Sequence, residues 1–366
     1  KILGERLMIY EYWYAGISGL NCMKKKKLRE ILKTAEMIYY IEEIKLTELG
    51  ILTDREIQAL IKAKKQQDIK EKWEMLEEKN IRFIPYFSEE YPVRLKNIPA
   101  PPYALYVRGR LPDSDRPAAA LVGARNCTHY GERMALEYGE KLAENGISII
   151  SGMARGIDGA GQRGALNAGG MTYGILGCGV DICYPGEHRG LYQDLIKKGG
   201  VISEQSPGSP PLARYFPARN RIISGMADIV LVIEAKEKSG SLITADQALE
   251  QGKEVYALPG PVTSLLSQGC HRLIAQGAGI LLSPEDLMET MGICLSKSRQ
   301  NKSSEKKVLE SPENMVYSCV GLFPKGLQEL AQETKLAPEI LMEELITLEL
   351  QGFVKEISKN YYVKMR

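Results

Sequence analysis

The spacing of apolar positions changes character along this chain. Up to about residue 75 they recur every three or four residues with many lysines between them, as in Leu28 to Ile44 and Asp54 to Lys64. That spacing predicts a set of amphipathic helices. Leu49-Gly50-Ile51-Leu52-Thr53-Asp54 reads as a turn and a fresh helix start, with Thr53 or Asp54 as its cap. From Ile81 the pattern becomes extended. Pro85, Pro92, Pro99, Pro101 and Pro102 punctuate it, and it ends in a strand-like Ala104-Leu105-Tyr106-Val107. Short apolar runs then alternate with helical segments. The runs are Ala118 to Val122, Ile147 to Ile150, Thr172 to Leu176, Val201 to Ser203, Ile229 to Ile233 and Glu254 to Ala257. The helical segments include Tyr130 to Asn145, Gly156 to Asn167, Thr244 to Gln251 and His271 to Gln276. Runs without polar alternation suit strands covered on both faces. The pattern therefore predicts an α/β fold with a parallel sheet covered on both faces, Rossmann-like in layout.

Leu295 to Lys307 is rich in Ser, Lys and Asn and reads as a linker. Beyond it, helices are expected near Ser311 to Cys319, at Leu327 to Thr334 and at Pro338 to Gln351. Phe353 to Val363 reads as a hairpin turning near Lys359-Asn360. Three helices and a terminal hairpin make a winged helix. The expected domains are residues 1–78 (helical, SAM- or helix-hairpin-helix-like), 79–292 (Rossmann-like), 293–307 (linker) and 308–366 (winged helix).

Composition narrows the classes. A chain of 366 residues exceeds one ordinary core. Hydrophobic residues at 44% and charged residues at 26% are globular values. The formal net charge is only +2, so a surface for nucleic acid has to be local. No apolar run is long enough to cross a bilayer, and the first residues show no signal-peptide pattern. The cysteines, Cys22, Cys127, Cys178, Cys183, Cys270, Cys294 and Cys319, contain no Cys-x-x-Cys pair. Their scatter points to a reducing cytoplasm and away from a zinc site.

In an open parallel sheet ligands bind beyond the carboxyl ends of the strands. Those exits here carry Gly123-Ala124-Arg125, Ser151-Gly152 with Arg155-Gly156-Ile157-Asp158, Gly177-Cys178-Gly179-Val180-Asp181, Glu234-Ala235 and Pro259-Gly260. Glycines allow close approach of backbone amides, and Arg125 and Arg155 add charge, as an anion pocket requires. The Gly177 segment is not a dinucleotide fingerprint, because Ile182 stands where the third glycine belongs. No Walker A motif occurs, and no cofactor is expected. Phe216-Pro217-Ala218-Arg219-Asn220-Arg221 joins an aromatic to two guanidinium groups at a helix start. Such a set suits base stacking and phosphate contact. Arg219 is assigned to ligand contact. Arg221 is open between that role and a tie to Glu204 or Asp228. Ser239-Gly240-Ser241 precedes another helix and suits an anion, or simple capping. Asp158, Asp181, Glu204 and Glu234 could act as acid or base, but carboxylates beside arginines are more often anchors. None of His129, His188 and His271 follows a strand, and no nucleophile elbow appears. An enzyme is not expected.

These segments resemble the DprA/Smf family of bacterial DNA-processing proteins. The match runs in order through Tyr91-Pro92, Pro101-Pro102, Gly123-Ala124-Arg125, Ser151 to Asp158, Gly177 to Asp181, Tyr184-Pro185, Ser203-Glu204, Phe216 to Gly225, Ser239 to Thr244 and Ala257 to Gly260. The resemblance implies an extended Rossmann domain that binds single-stranded DNA in a basic pocket. It also implies a homodimer and loading of RecA recombinase during DNA uptake, transformation or recombination. Its DNA contacts carry over onto Arg125, Phe216, Arg219 and Asn220, with Arg155 a further basic position. The chain departs from the family pattern at Gln162 (often His), Met171 (often basic) and His271 (often Asn). The alternative is a phosphoribohydrolase-like nucleotide enzyme, but Ser239 to Thr244 lacks that group's glycine pattern. A third use, duplex reading by the winged helix, sits poorly with Glu339, Glu343, Glu344 and Glu349 on its third helix.

Overall fold

The computed structural model describes residues 2–65, 68–293, 311–321 and 323–365. The linker expected over 293–307 lies, but for Ile293, outside the described residues. The N-terminal stretch forms helices α1 Ile2–Ala15, α2 Cys22–Leu32, α3 Ala35–Tyr40, α4 Glu43–Glu48, α5 Asp54–Lys64 and α6 Ile69–Glu78. The helix expected over Leu28 to Ile44 is interrupted. Lys33 adopts a φ of 67°, and the Thr34 side chain caps α3 by accepting the Met37 N–H. A threonine that bonds the backbone locally competes with helix continuation. Of the two caps the sequence offers, Thr53 takes the N-cap of α5.

One sheet of nine strands follows: β1 Arg82–Pro85, β2 Ala104–Gly109, β3 Ala118–Val122, β4 Ser148–Ser151, β5 Thr172–Ile175, β6 Gly200–Ser203, β7 Ile229–Val232, β8 Glu254–Ala257 and β9 Gly279–Ile280. Their spatial order is β1-β2-β6-β5-β4-β3-β7-β8-β9. Neighbours from β6 to β9 are parallel. The sheet is not parallel throughout, because β1, β2 and β6 pair antiparallel. The β1–β2 connection holds only the short helix α7 Val93–Lys96.

Helices α8 His129–Glu144, α9 Ile157–Asn167, α10 Arg189–Lys198, α11 Tyr215–Met226, α12 Gly240–Glu250, α13 Gln268–Ala275 and α14 Pro284–Thr290 complete this part. Strand β3 shows why its residues are uniformly apolar. Ala118, Ala120 and Val122 enter the core against α11 and α12, while Ala119 and Leu121 enter the core against α8 and α9. The N-terminal helices share a third core with the sheet, joining Trp13, Tyr14 and Leu60 to Phe83, Tyr103 and Tyr106. Residues 1–295 form one compact unit as a result.

Lys25 is 6% exposed in that shared region, with its ammonium donating to the Ala15 carbonyl at 2.6 Å. Burial pulls its pKa down to about 8. Between about pH 8 and the ordinary lysine range this site therefore holds more proton in the unfolded chain than in the folded one, and its own contribution to stability rises with pH by up to about 2 kcal/mol by pH 9.5. Burial pushes the Cys127, Cys178 and Cys270 thiols up, and they act in the opposite direction over the same window. We therefore expect the stability difference between wild type and Lys25→Met in urea unfolding to shift in favour of wild type by up to about 2 kcal/mol from pH 8 to pH 9.5. Parallel pH profiles for the two would show that Lys25 keeps its ordinary titration.

Residues 296–366 form a second compact unit. Its helices α15 Ser311–Cys319, α16 Leu327–Thr334 and α17 Pro338–Leu350 enclose Val316, Leu330, Leu341, Leu345 and Leu348. Strands β10 Lys325–Gly326, β11 Val354–Ser358 and β12 Tyr361–Lys364 form an antiparallel sheet in the order β10-β12-β11. Its hairpin turns at Lys359-Asn360, where Asn360 takes a φ of 64°. The pairing of β10 was not legible in two residues. Among the described residues no helix is long and apolar enough to cross a membrane. Cys22, Cys127, Cys178, Cys183, Cys270 and Cys319 are free thiols.

Candidate nucleic-acid interface

From β3 the chain moves through β4, β5 and β6 toward one side of the sheet, then returns to the other side for β7, β8 and β9. The loops leaving β3 and β7 diverge, and a crevice opens between them at the carboxyl edge. It holds a groove of about 590 Å³. The β3 exit contributes Gly123, Arg125 and Asn126. The β7 exit contributes Lys236, Lys238 and Ser239 to Ser241, and α11 contributes Phe216, Arg219 and Asn220. Four cationic side chains, Arg125, Arg219, Lys236 and Lys238, face one carboxylate, Asp158. Arg125, Lys236 and Lys238 are exposed and make no ion pair among the described residues.

The β3 loop is held from below. Glu234, 4% exposed, accepts the Thr128 N–H at 2.8 Å and its hydroxyl at 2.5 Å. Thr128 Oγ1 in turn accepts the Gly131 N–H and caps α8. Glu234 is thus an anchor rather than an acid or base. Its replacement, Glu234→Gln, turns one acceptor into a donor against these donors. We expect a loss of about 1–2 kcal/mol in urea unfolding. An unchanged midpoint would show the loop is held by other contacts.

Arg219 and Asp158 form the floor. Arg219 is 5% exposed and donates to the carbonyls of Gly152, at 2.8 Å, and Ile175. Asp158, 6% exposed, accepts the Gly152 N–H at 3.0 Å. Burial pushes the Asp158 carboxyl up, against the opposing pull of Arg219. Burial likewise lowers Arg219 to about 10, and Asp158 resists. Arg219 stays cationic at neutral pH, with Nη1 engaged by two carbonyls and Nε by the Asn220 amide oxygen.

The aromatic wall comes next. The Arg125 guanidinium lies 5.5 Å from the Phe216 ring centre, and Tyr184, 42% exposed, lies 5.6 Å from the same ring. Opposite stands the N-terminus of α12. Ser239 caps it, its hydroxyl meeting that of Ser241 at 2.8 Å, and no acid occupies its first turn. Asn220 ties it to α11 through the Gly240 carbonyl. Free amides and the helix dipole favour an anion there.

Several expected residues lie elsewhere. Arg221 is committed to Glu204, at 2.5 Å and 3.0 Å, and to the Ala100 carbonyl. Arg155 lies outside the groove in a bidentate pair with Glu187 at 2.5 Å and 2.8 Å. The glycines serve packing more than ligand approach. A Cβ on Gly152 would sit 2.6 Å from Arg219 and Asp158, and one on Gly177 would sit 2.9 Å from Phe216. Gly179 faces the loop at Ser206 to Gly208, where it meets Asp181. Gln162, Met171 and His271 also lie off the groove; His271 bonds the Gly260 carbonyl and Gln162 the Tyr173 carbonyl. Sequence reasoning missed Lys236, Lys238, Asn126 and Tyr184. A signal existed for the lysines, which stand just past β7 and just before the capping Ser239.

The family described as DNA recombination-mediator protein A matches residues 82–292 of the chain. Protein Smf of Escherichia coli strain K12 is 39% identical over 308 residues, 80% of this chain and 79% of its own length. DNA processing protein DprA of Streptococcus pneumoniae is 40% identical over 213 residues, 57% of this chain and 75% of its own. The X-ray structure of DprA from Streptococcus pneumoniae superposes with a TM-score of 0.67 at 31% identity, covering 77% of this chain and 97% of that one. DNA processing protein A from Helicobacter pylori, solved for its single-stranded DNA binding mode, superposes with a TM-score of 0.52 at 28% identity, over 58% of this chain and 95% of its own.

Proposed function

The chain belongs to the DNA recombination-mediator protein A family, and on that premise we propose that its switch-point groove holds single-stranded DNA. One observation carries the proposal: four cations against one carboxylate, beside two aromatic rings, in a groove at the sheet's carboxyl edge. Arg125, Lys236, Lys238 and the start of α12 take phosphates. Phe216 and Tyr184 offer faces to bases, and Arg219 makes the floor positive. Phosphate charge and stacking are blind to base identity, so binding is sequence-independent. A duplex presents paired, stacked bases and cannot use the rings.

The test compares single- and double-stranded oligonucleotides at two salt concentrations. Single strands should bind more tightly, with a slope of log K against log salt of roughly −2, since each phosphate neutralised contributes about −0.7. Equal affinity for duplex, or no salt dependence, would overturn the reading.

The groove acts by holding the strand, not by breaking a bond. Release of free base from nucleoside monophosphates would contradict this. In line with the family, the protein works as a homodimer that protects incoming strands and hands them to RecA recombinase. The second compact unit is read as a winged helix. Its α17 carries Glu339, Glu343, Glu344 and Glu349 and no Lys or Arg, so contact with protein suits it better than contact with a phosphate backbone.

A further inference from the structure

A second cavity, of about 700 Å³, lies between α1, α5, α6 and the loop that leaves β6. Its inner wall is apolar, with Trp13, Ile17, Ala63 and Leu76 buried there. Its rim carries Lys62, Lys72 and Lys79. Asp68 pairs with Lys72 at 2.7 Å and Asp181 pairs with Lys79 at 2.9 Å. Lys62 makes no ion pair among the described residues. Three ammonium groups against two carboxylates leave the mouth one charge positive. Tyr12 lines the same wall, its ring edge-on to Trp73, Phe83 and Tyr106. Burial raises the Tyr12 pKa, so the hydroxyl stays a donor.

The cavity and the groove meet different residues of one loop. Ser206, Pro207 and Gly208 line the cavity, and Pro211 and Ala213 of the same loop line the groove. The three residues from Gly208 to Pro211 span at most about 10 Å. Side chains pin the loop: Asp181 accepts the Gly208 N–H at 2.8 Å, and the Ser206 and Tyr106 hydroxyls meet at 3.2 Å. An apolar recess with a cationic rim suits a ligand that is flat and apolar at one end and anionic at the other. The volume is that of a small-ligand site.

We propose that this cavity is a second nucleotide site, with the base against the apolar wall and the phosphate at the lysine rim. The placement beside the groove rests on the reading of the groove as a strand site. The nucleotide has two possible sources, the continuation of the bound strand or a free mononucleotide.

The experiment uses the full chain and two variants, Lys62→Ala/Lys72→Ala at the rim and Ala59→Trp, which fills the recess. Circular dichroism and thermal melting check their folding. Fluorescence anisotropy compares a thymidine oligonucleotide of about 6 nucleotides, enough for the groove, with one of about 15. Calorimetry measures thymidine monophosphate separately. If the strand continues into the cavity, both variants weaken the long oligonucleotide roughly tenfold and leave the short one unchanged. The rim variant also lowers the salt slope by about 0.7 for each phosphate released. If the source is free nucleotide, thymidine monophosphate binds wild type and loses that binding in both variants, with no effect of oligonucleotide length. Either result supports the cavity as a nucleotide site. Folded variants that match wild type in both arms overturn it. If the short oligonucleotide fails to bind wild type, the groove reading falls, and the mononucleotide arm still decides the cavity.

Discussion

Asp158→Ala is expected to destabilise the protein by about 2–4 kcal/mol, because it removes the buried charge that offsets Arg219 from nearby and the acceptor of the Gly152 N–H. Three consequences combine. Arg219 is 5% exposed and would keep its charge with no carboxylate nearby. The Gly152 N–H, bonded to Asp158 at 3.0 Å, would lose its acceptor. A void would open at the start of α9, where Asp158 is buried. Urea unfolding should show a lower midpoint with an unchanged slope. The double variant Asp158→Ala/Arg219→Met should recover part of the loss, because it removes the stranded charge. A single variant within about 0.5 kcal/mol of wild type would mean that Arg219 is neutralised by other means.

The second large effect concerns binding. Replacing Arg125, Lys236 and Lys238 together by alanine should weaken single-stranded DNA binding by roughly a hundredfold at low salt. It should also bring the salt slope close to zero, since these are the exposed cations of the groove. The loss should be similar for thymidine and mixed-sequence oligonucleotides, because phosphates are the contacts removed. Stability should change little, as none of the three holds an ion pair among the described residues. Arg221→Ala makes the contrast. It breaks a partly buried pair with Glu204 and should lower the melting temperature while sparing the salt slope. If the triple variant binds as wild type does, the strand lies elsewhere.

The sequence alone was enough for the sheet strands from β3 to β8, for most of the helices between them and for the hairpin at Lys359-Asn360. Each of these is a local decision, made by apolar period, caps and turn residues. It was enough for the family too, because Gly123 to Arg125, Ser151 to Asp158 and Phe216 to Gly225 are contiguous motifs. It also pointed to the carboxyl edge of the sheet, where the groove opens, since strand exits can be counted along the chain.

Tertiary structure alone decided what each charged residue does there. Sequence left Arg221 open between ligand contact and a tie to a carboxylate; the structure locks it to Glu204, while Arg125 is exposed at the groove. Arg219, assigned to ligand contact, is buried with Nη1 donating to the carbonyls of Gly152 and Ile175. The glycines expected to admit a ligand instead admit side chains of the protein, Arg219 at Gly152 and Phe216 at Gly177. The antiparallel edge and the core shared by the N-terminal helices and the sheet were equally out of reach. The physical reason is the same in each case. Local backbone preferences depend on neighbours in sequence, whereas the partner of a charge or the filling of a space depends on residues tens of positions away. Those partners are chosen only when the strands take their places in the sheet.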